Sequence, residues 1–481
     1  VPGLTSGPHR TVDRARGTAP PDSGLRTRRI RSADPARNAG AGLLAASDQV
    51  HTDDLSVGSA GSMDSEGCNA LTASNVSEDL LVDFDVYDPA LAAPVDVFQK
   101  KAAELRARGP IVYSPHHGGH WIVTRYADIF RILRDAETFS SYPNNLVDAG
   151  QGKFIPVEID PPEHTQYRQA LQPLFGPARM KELEPRIREI INQLIDGFAD
   201  SGRCEFVAEF AHALPTRVFL SLMGWPLDDA EQFTEWTDIA LQGIPGAGEE
   251  ESARARAEAA TNVFEYFGAF VDRVRSGQED SESVTAQIID TPIRMDGVER
   301  HLTDEELRRM FFLLLIAGLH TVQGSLGWAM VHLANNPVQR QALIDDSSLV
   351  PDAVEEILRI EAAVSMGRRA TRDVEIAGVN IKADDQLLLL LCAANRDEAE
   401  FDNPDAFVID RGPNRHLSFG AGPHRCLGSH LARLELTLAM EEIHRRIPDY
   451  ALVDSDPPLM HGTSVRGCVR LPLTFTPESR S

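Results

Sequence analysis

Beyond about residue 80, apolar positions recur mainly three and four residues apart, the spacing of one helix face. That pattern predicts helices over 95–108, 126–135, 184–199, 210–222, 253–277 and 429–447, and it makes 181–343 helical with short breaks. The segment 307–335 is apolar almost all round, which marks a buried helix rather than a surface one. Thr303, followed three positions later by Glu306, is a capping box that starts it. Strand-like alternation is confined to short pieces. Residues 110–113 and 121–124 flank a His/Gly turn and read as a hairpin, as do 373–381 around Gly378 and the terminal 459–475. Residues 364–366 read as an apolar strand and 387–394 as a buried apolar run. Two loops interrupt the pattern, 139–155 rich in Asn, Gly and Pro, and 243–251 rich in Gly and Glu. The expected fold class is mainly α with smaller β-sheets, in a single large domain over 79–481.

Residues 1–78 lack apolar periodicity and are rich in Gly, Ala, Ser, Pro and Arg, so they read as a disordered tail. The first forty residues hold eight arginines and three aspartates. A solvated tail is the expectation, with a basic transit or nucleic-acid arm as its functional rival. A third reading is that the tail is not made, since Met63 lies just ahead of the first globular text. The whole chain of 481 residues carries a net charge of -25, which argues against a general nucleic-acid binder. Its five cysteines are scattered and odd in number, unlike a disulfide framework, so a cytoplasmic location is expected. The longest apolar run, 310–319, is too short for a membrane span.

The chemistry concentrates in Phe419-Gly420-Ala421-Gly422-Pro423-His424-Arg425-Cys426-Leu427-Gly428. Two glycines and a proline build a tight loop ahead of one cysteine, and a helix begins just behind it. Backbone donors facing the sulfur favour a thiolate. A lone thiolate presented this way suits a metal, haem iron above all. An ordinary buried thiol and a zinc site formed with His416, His424 and His430 are the competing readings. The zinc reading is weakened by the absence of paired ligand spacings. Elsewhere, His164 and Arg168 are four apart and share a helix face, where a cationic pair can hold carboxylates or simply be solvated. Glu356 and Arg359 are three apart and can pair. Gly318 allows close approach to the 307–335 backbone, and Thr321 can bond back to the preceding turn.

The loop resembles the haem-binding loop of the cytochromes P450, Phe-Gly-x-Gly-x-His-x-Cys-x-Gly, at every fixed position. The remaining motifs fall in that family's order over roughly 80–478. The resemblance implies haem b, held by Cys426 as axial ligand, with Phe419 and Gly428 shaping the loop. It implies His164, Arg168, Arg368 and His424 as partners of the propionates, Arg369 being the rival to Arg368. It makes Glu356 and Arg359 a structural pair joined by Arg411 or Arg415. It places Ala317-Gly318-Leu319-His320-Thr321 on the distal helix, with Ala317, Gly318, Val364 and Met366 at the substrate pocket and 243–251 in the lid. Thr321 would position oxygen and its protons. His320 stands where the family has an acid; it can relay protons near neutral pH, bind substrate, ligate iron or satisfy a core hydrogen bond. The implied reaction is O2-dependent hydroxylation of a small to medium apolar substrate, terpenoid-like or aromatic. The chain carries no flavin, nicotinamide or iron–sulfur fingerprint, so a ferredoxin and its reductase would supply electrons. The wording of 155–165 resembles soluble bacterial members. A peroxide-driven peroxygenase and a non-enzymatic haem-binding protein are the alternatives.

Overall fold

The structure is a computed structural model that describes residues 76–92, 97–146, 152–242, 244, 248–279, 283–461 and 465–478. Helix dominates. The principal helices are Val97–Arg108, Tyr126–Arg134, Glu163–Leu171, Pro177–Asp196, Ala213–Met223, Ala230–Gln242, Glu249–Arg275, Asp304–Asn335, Pro337–Asp345, Val350–Ile360 and Ser429–Arg446. Their apolar faces meet in one large core that includes Phe210, Phe219, Phe233, Phe267, Phe311 and Trp328.

The long helix Asp304–Asn335 runs through that core and packs against five of the other principal helices and against the strand Gly467–Arg470. Its start is set by the predicted capping box: Thr303 Oγ1 accepts from the Glu306 N–H, and the Glu306 carboxylate accepts from the Thr303 N–H. Close neighbours explain its glycines. A Cβ at Gly324 would stand 2.7 Å from the Arg466 carbonyl oxygen, so the strand beside it requires glycine there. By length and composition this helix could cross a membrane, contrary to the expectation drawn from the 310–319 run alone. However, 72% of its most apolar 18-residue window is buried inside the protein, as in the core helix of a globular fold.

A second core lies beside a mixed five-stranded sheet. Its strand order is Ile111–Ser114, His120–Val123, Gln386–Leu389, Met366–Ala370 and Phe139–Ser140. Only the pairing of His120–Val123 with Gln386–Leu389 is parallel. The predicted hairpins at 110–124 and 373–381 are both present, the second turning through Ala377 and Gly378 at positive φ. The strand expected at 364–366 begins only at Met366, with Val364 making a single bridge to Val465.

Two strand pairs break the expected helical run. Ile293–Met295 pairs with Val298–Arg300, and Arg203–Glu205 pairs with Pro472–Thr474. Each piece is three residues long, too short for alternation to stand out from a helical pattern. The terminal hairpin also divides: Leu459–His461 pairs with Gly467–Arg470, whereas Pro472–Thr474 joins a different sheet. The readings for 1–75, for 95–96 at the start of the first helix, for 147–151 in the first loop, for 243 and 245–247 in the second loop, and for the hairpin tip 462–464 lie outside the described residues.

Candidate functional site

The cysteine loop is built from its glycines. Gly420 and Gly422 take φ of 65° and 69°, and a Cβ at Gly422 would stand 2.4 Å from the Leu133 carbonyl oxygen. Only glycine lets the loop turn left-handed while lying against the end of helix Tyr126–Arg134. The Cys426 N–H donates to the Phe419 carbonyl at 2.8 Å, closing the loop at its base. Arg433 lays its guanidinium over the Phe419 ring, 4.4 Å from the centroid, and binds Glu355 through Nε at 2.6 Å. Cys426 itself is half-buried and unpaired. Burial pushes its thiol up, and the Gly428 N–H with Arg168, Arg425 and Arg433 pulls it only partly back. The backbone donor thus acts toward the thiolate, as expected, but burial outweighs it. A metal cation on the sulfur would supply the missing compensation.

Behind the loop lies a buried charge network. Glu356 and Arg359 are both fully buried and joined at 2.7 and 2.8 Å through two parallel hydrogen bonds. Arg411, not Arg415, brings the third charge, 3.1 Å from Glu356, while Arg415 pairs with Glu400. Arg359 also donates to the carbonyls of Asn395, Pro404 and Ala406. From Asn395 the network reaches the loop: its side chain accepts from the Leu417 N–H at 2.7 Å and donates to Ser418 Oγ at 2.8 Å. The pair thus acts on the two residues just ahead of Phe419.

On the other side of the loop, two histidines and two arginines crowd together. The His164 and His424 rings lie 4.1 Å apart between centroids. Arg168 donates to the Arg425 carbonyl at 2.5 Å. Burial, then Arg168, holds His164 down at about 4. Burial, then His164, Arg368 and Arg168, holds His424 down at about 3, and neither of its ring nitrogens has a hydrogen-bond partner. Burial alone brings Arg368, only 3% exposed, down to about 10. Its hydrogen bonds go to the Gly367 carbonyl and, at 3.5 Å, to Asn144. Asp160 is an acid that acts on His164 and Arg368, and Ser140 and Ser141 already bond its oxygens. Among the described residues none of His164, Arg168, Arg368 and His424 forms an ion pair. Such a cluster calls for an anion. Two carboxylates beside a cysteine-ligated metal fit it, as the propionates of haem would.

The long helix presents two different faces in its middle. Ala317 is exposed and Thr321 half-exposed, four apart on one face of a helix otherwise mostly buried. Thr321 Oγ1 donates back to the Ala317 carbonyl at 3.0 Å. Gly318 turns instead toward Phe219, where a Cβ would meet the ring at 3.2 Å. His320 is 5% exposed and its Nε2 lies 3.1 Å from Asp238 Oδ1, on helix Ala230–Gln242. His212 Nε2 approaches the same oxygen at 3.2 Å. Burial pushes the Asp238 carboxyl up, but its contacts with His212 and His320 outweigh this and hold it at about 2.

The structure thus brings Cys426, Phe419, Gly428, His164, Arg168, Arg368 and His424 around one loop. Glu356 and Arg359 stand behind it. Val364 and Met366 are half-buried, and Met366 reaches toward the loop, its Cε 3.7 Å from a Cβ built on Gly420. The zinc alternative does not assemble, because His416 turns to Glu355 at 3.2 Å and His430 is exposed. Sequence reasoning missed Asn395, Ser418, Glu355, Arg433, His212 and Asp238. None stands in a spacing that signals its partner, since each acts across a gap in sequence.

Comparison with known proteins gives four findings. The family profile described as Cytochrome P450 matches residues 250–447. The chain is 35% identical to a probable cytochrome P450 127A1 of Sinorhizobium fredii, over 76% of this chain and 87% of that protein. It is 33% identical to the mycinamicin IV hydroxylase/epoxidase of Micromonospora griseorubida, over 77% and 94%. Among solved structures, the crystal structure of CYP101J2 superimposes with a TM-score of 0.74 at 30% identity, covering 83% of this chain and 98% of that one.

Proposed function

The chain belongs to the cytochrome P450 family, as a haem-dependent monooxygenase, and on that premise we propose that Cys426 ligates the haem iron and that the fold around it hydroxylates an apolar organic substrate. The observation that carries the reading is the cluster of His164, Arg168, Arg368 and His424, buried or half-buried beside Cys426 without an ion pair. When bound, haem supplies the activation of O2 for transfer of one oxygen atom to substrate. The chain supplies the rest. Glu356, Arg359 and Arg411 fix the approach to the loop, Arg168 and Arg368 neutralise the propionates, and His164 and His424 offer them ring N–H donors.

Thr321 is assigned the proton-donating hydroxyl on the open face of the long helix. His320 holds its Nε2 proton against Asp238, whose side chain is 37% exposed and so links a buried ring to solvent. The carboxylate absent from position 320 is thereby present on a facing helix, which favours an O2-driven reaction over a peroxide-driven one. Ala317, Val364 and Met366 give the pocket an apolar lining, for which a terpenoid-like or aromatic substrate is the proposed class. Exposed Arg425, next to the ligand, suits an acidic electron donor such as a ferredoxin, itself served by a reductase. We assign residues 79–481 to the haem domain and 1–78 to a tail. The four described cysteines are free, in keeping with a reducing cytoplasm.

The experiment is a ligand screen on haem-loaded protein, watching the spin-state band, followed by turnover with ferredoxin, reductase and NAD(P)H. Monoterpenes and small aromatics should shift the band and yield hydroxylated product. A shift given only by much larger ligands overturns the substrate class. Turnover with peroxide but none with ferredoxin overturns the oxygen-driven reading. Cys426→Ser should lose the haem-thiolate signature of the reduced carbon monoxide complex.

A further inference from the structure

His212, Asp238 and His320 come from three separate elements and direct their donor atoms at one point. His212 stands just ahead of helix Ala213–Met223, Asp238 lies on Ala230–Gln242, and His320 lies on the long helix. A π-helical turn, Val207–Ala211, precedes His212, whose N–H donates back five residues to the Val207 carbonyl at 2.9 Å. This wider turn sets where the ring emerges.

We propose that these three side chains form a binding site for a divalent transition-metal cation, with Zn2+ the best fit. Two imidazole nitrogens and one carboxylate are a donor set suited to zinc, leaving a fourth position for water. The spacing agrees. Metal–donor bonds of about 2.0 Å at tetrahedral angles put the donors about 3.3 Å apart. Here His320 Nε2 and His212 Nε2 lie 3.1 and 3.2 Å from Asp238 Oδ1, and no pair of the three donor atoms exceeds 4.8 Å.

Hydrogen bonding alone accounts for this arrangement poorly. His212 Nε2 is buried near Asp238 Oδ1, yet it makes no aligned hydrogen bond to it or to any other group. A buried polar atom aimed at a carboxylate without bonding it is poorly served unless a third body sits between. An entry path exists, because the Asp238 side chain is 37% exposed while that of His320 at the floor is 4% exposed. The bound cation would tie helix Ala230–Gln242 to the long helix and take His320 Nε2 away from any proton transfer. The site itself does not depend on that catalytic role.

A further histidine group among the described residues can compete for the cation. His116 and His117 face Asp83 and Asp85 at 2.8 and 2.7 Å, but each ring has its own carboxylate and its own hydrogen bond. The test is equilibrium dialysis of haem-loaded protein against Zn2+ with metal analysis, and calorimetry for affinity. One Zn2+ per chain should bind at micromolar concentration. His212→Ala and Asp238→Asn should each weaken it about tenfold or more, with the circular dichroism and haem absorbance of the parent retained. The double variant His116→Ala/His117→Ala should bind like the parent. The proposal is overturned if no stoichiometric Zn2+ binds. It is equally overturned if His212→Ala and Asp238→Asn keep parental affinity, or if binding is lost only in the His116/His117 variant.

Discussion

Arg359 grips Glu356 through two hydrogen bonds of 2.7 and 2.8 Å, with both side chains shut away from solvent. The groups around them are nearly all used: Arg411 and Asn414 approach Glu356, the Val408 N–H donates to it, and three carbonyls receive Arg359, with Asn414 Oδ1 alone left without a partner. A satisfied buried network of this kind is costly to break at one member. Arg359→Met should leave Glu356 with Arg411 as its one remaining cation and destabilise the fold by about 3–5 kcal/mol. Arg359→Lys keeps the charge but loses the fork, so it should fall between. Thermal unfolding of haem-loaded protein measures the order, and haem retained after gel filtration should follow it, because the network positions Leu417 and Ser418.

Arg368 and Arg369 are neighbours on one strand and point to opposite faces of it. Arg368 pairs in register with Leu387 and is 3% exposed, beside His424; Arg369 pairs with Gln386. If the propionates occupy the cationic cluster, Arg368→Met should weaken haem binding at least about tenfold, while Arg369→Met changes it little. Transfer of haem to a scavenging apoprotein gives both rates. Equal losses would remove Arg368 from its assigned place.

A buried acid gives the protein a pH signature unrelated to catalysis. Glu435, 1% exposed on helix Ser429–Arg446, has an oxygen without a partner, and burial pushes its carboxyl up to about 8. The folded state therefore keeps a proton that the unfolded chain releases near pH 4.5. Stability from this group is fully present below pH 4.5 and is lost as pH rises toward 8, by on the order of 3 kcal/mol at pH 7. Glu435→Gln should remove this loss. Urea unfolding at pH 5 and pH 8 should show the variant gaining on the parent at the higher pH, and a constant difference would contradict the assignment.

How much of this was legible in the sequence depended on distance along the chain. The capping box at Thr303 and Glu306, the Gly-rich loop at 419–428 and the Glu356–Arg359 spacing are local patterns, and each could be read directly. The buried helix was visible because an all-round apolar surface has to be shielded from water, although only the folded chain shows that the protein core does so. The strands Arg203–Glu205 and Pro472–Thr474 were not, since neither forms a half-buried surface without its distant partner. The same holds for the site. His320 could be found as an oddity in a helix, but its partner Asp238 lies 82 positions away, on a surface-like stretch where an acid carries no signal. The choice between Arg411 and Arg415 needed the folded loop, because both stand at suitable distances from Glu356 in sequence.

The proton path proposed for this chain makes a distinction that a missing acid at position 320 would not. If His320 delivers protons by way of Asp238, then Asp238→Asn removes the carboxylate while leaving the ring in place. The neutral amide still accepts from Nε2–H but no longer holds a negative charge that supports proton passage. Product formed per NAD(P)H consumed should fall severalfold and hydrogen peroxide should rise, with substrate affinity from the spin-state titration almost unchanged. The solvent deuterium isotope effect on turnover should grow. Thr321→Ala should give the same uncoupling, and combining it with Asp238→Asn should add little, because both changes interrupt one route. If Asp238→Asn couples electrons to product as well as the parent does, the histidine is a core residue satisfied by its aspartate, and protons reach Thr321 by another path.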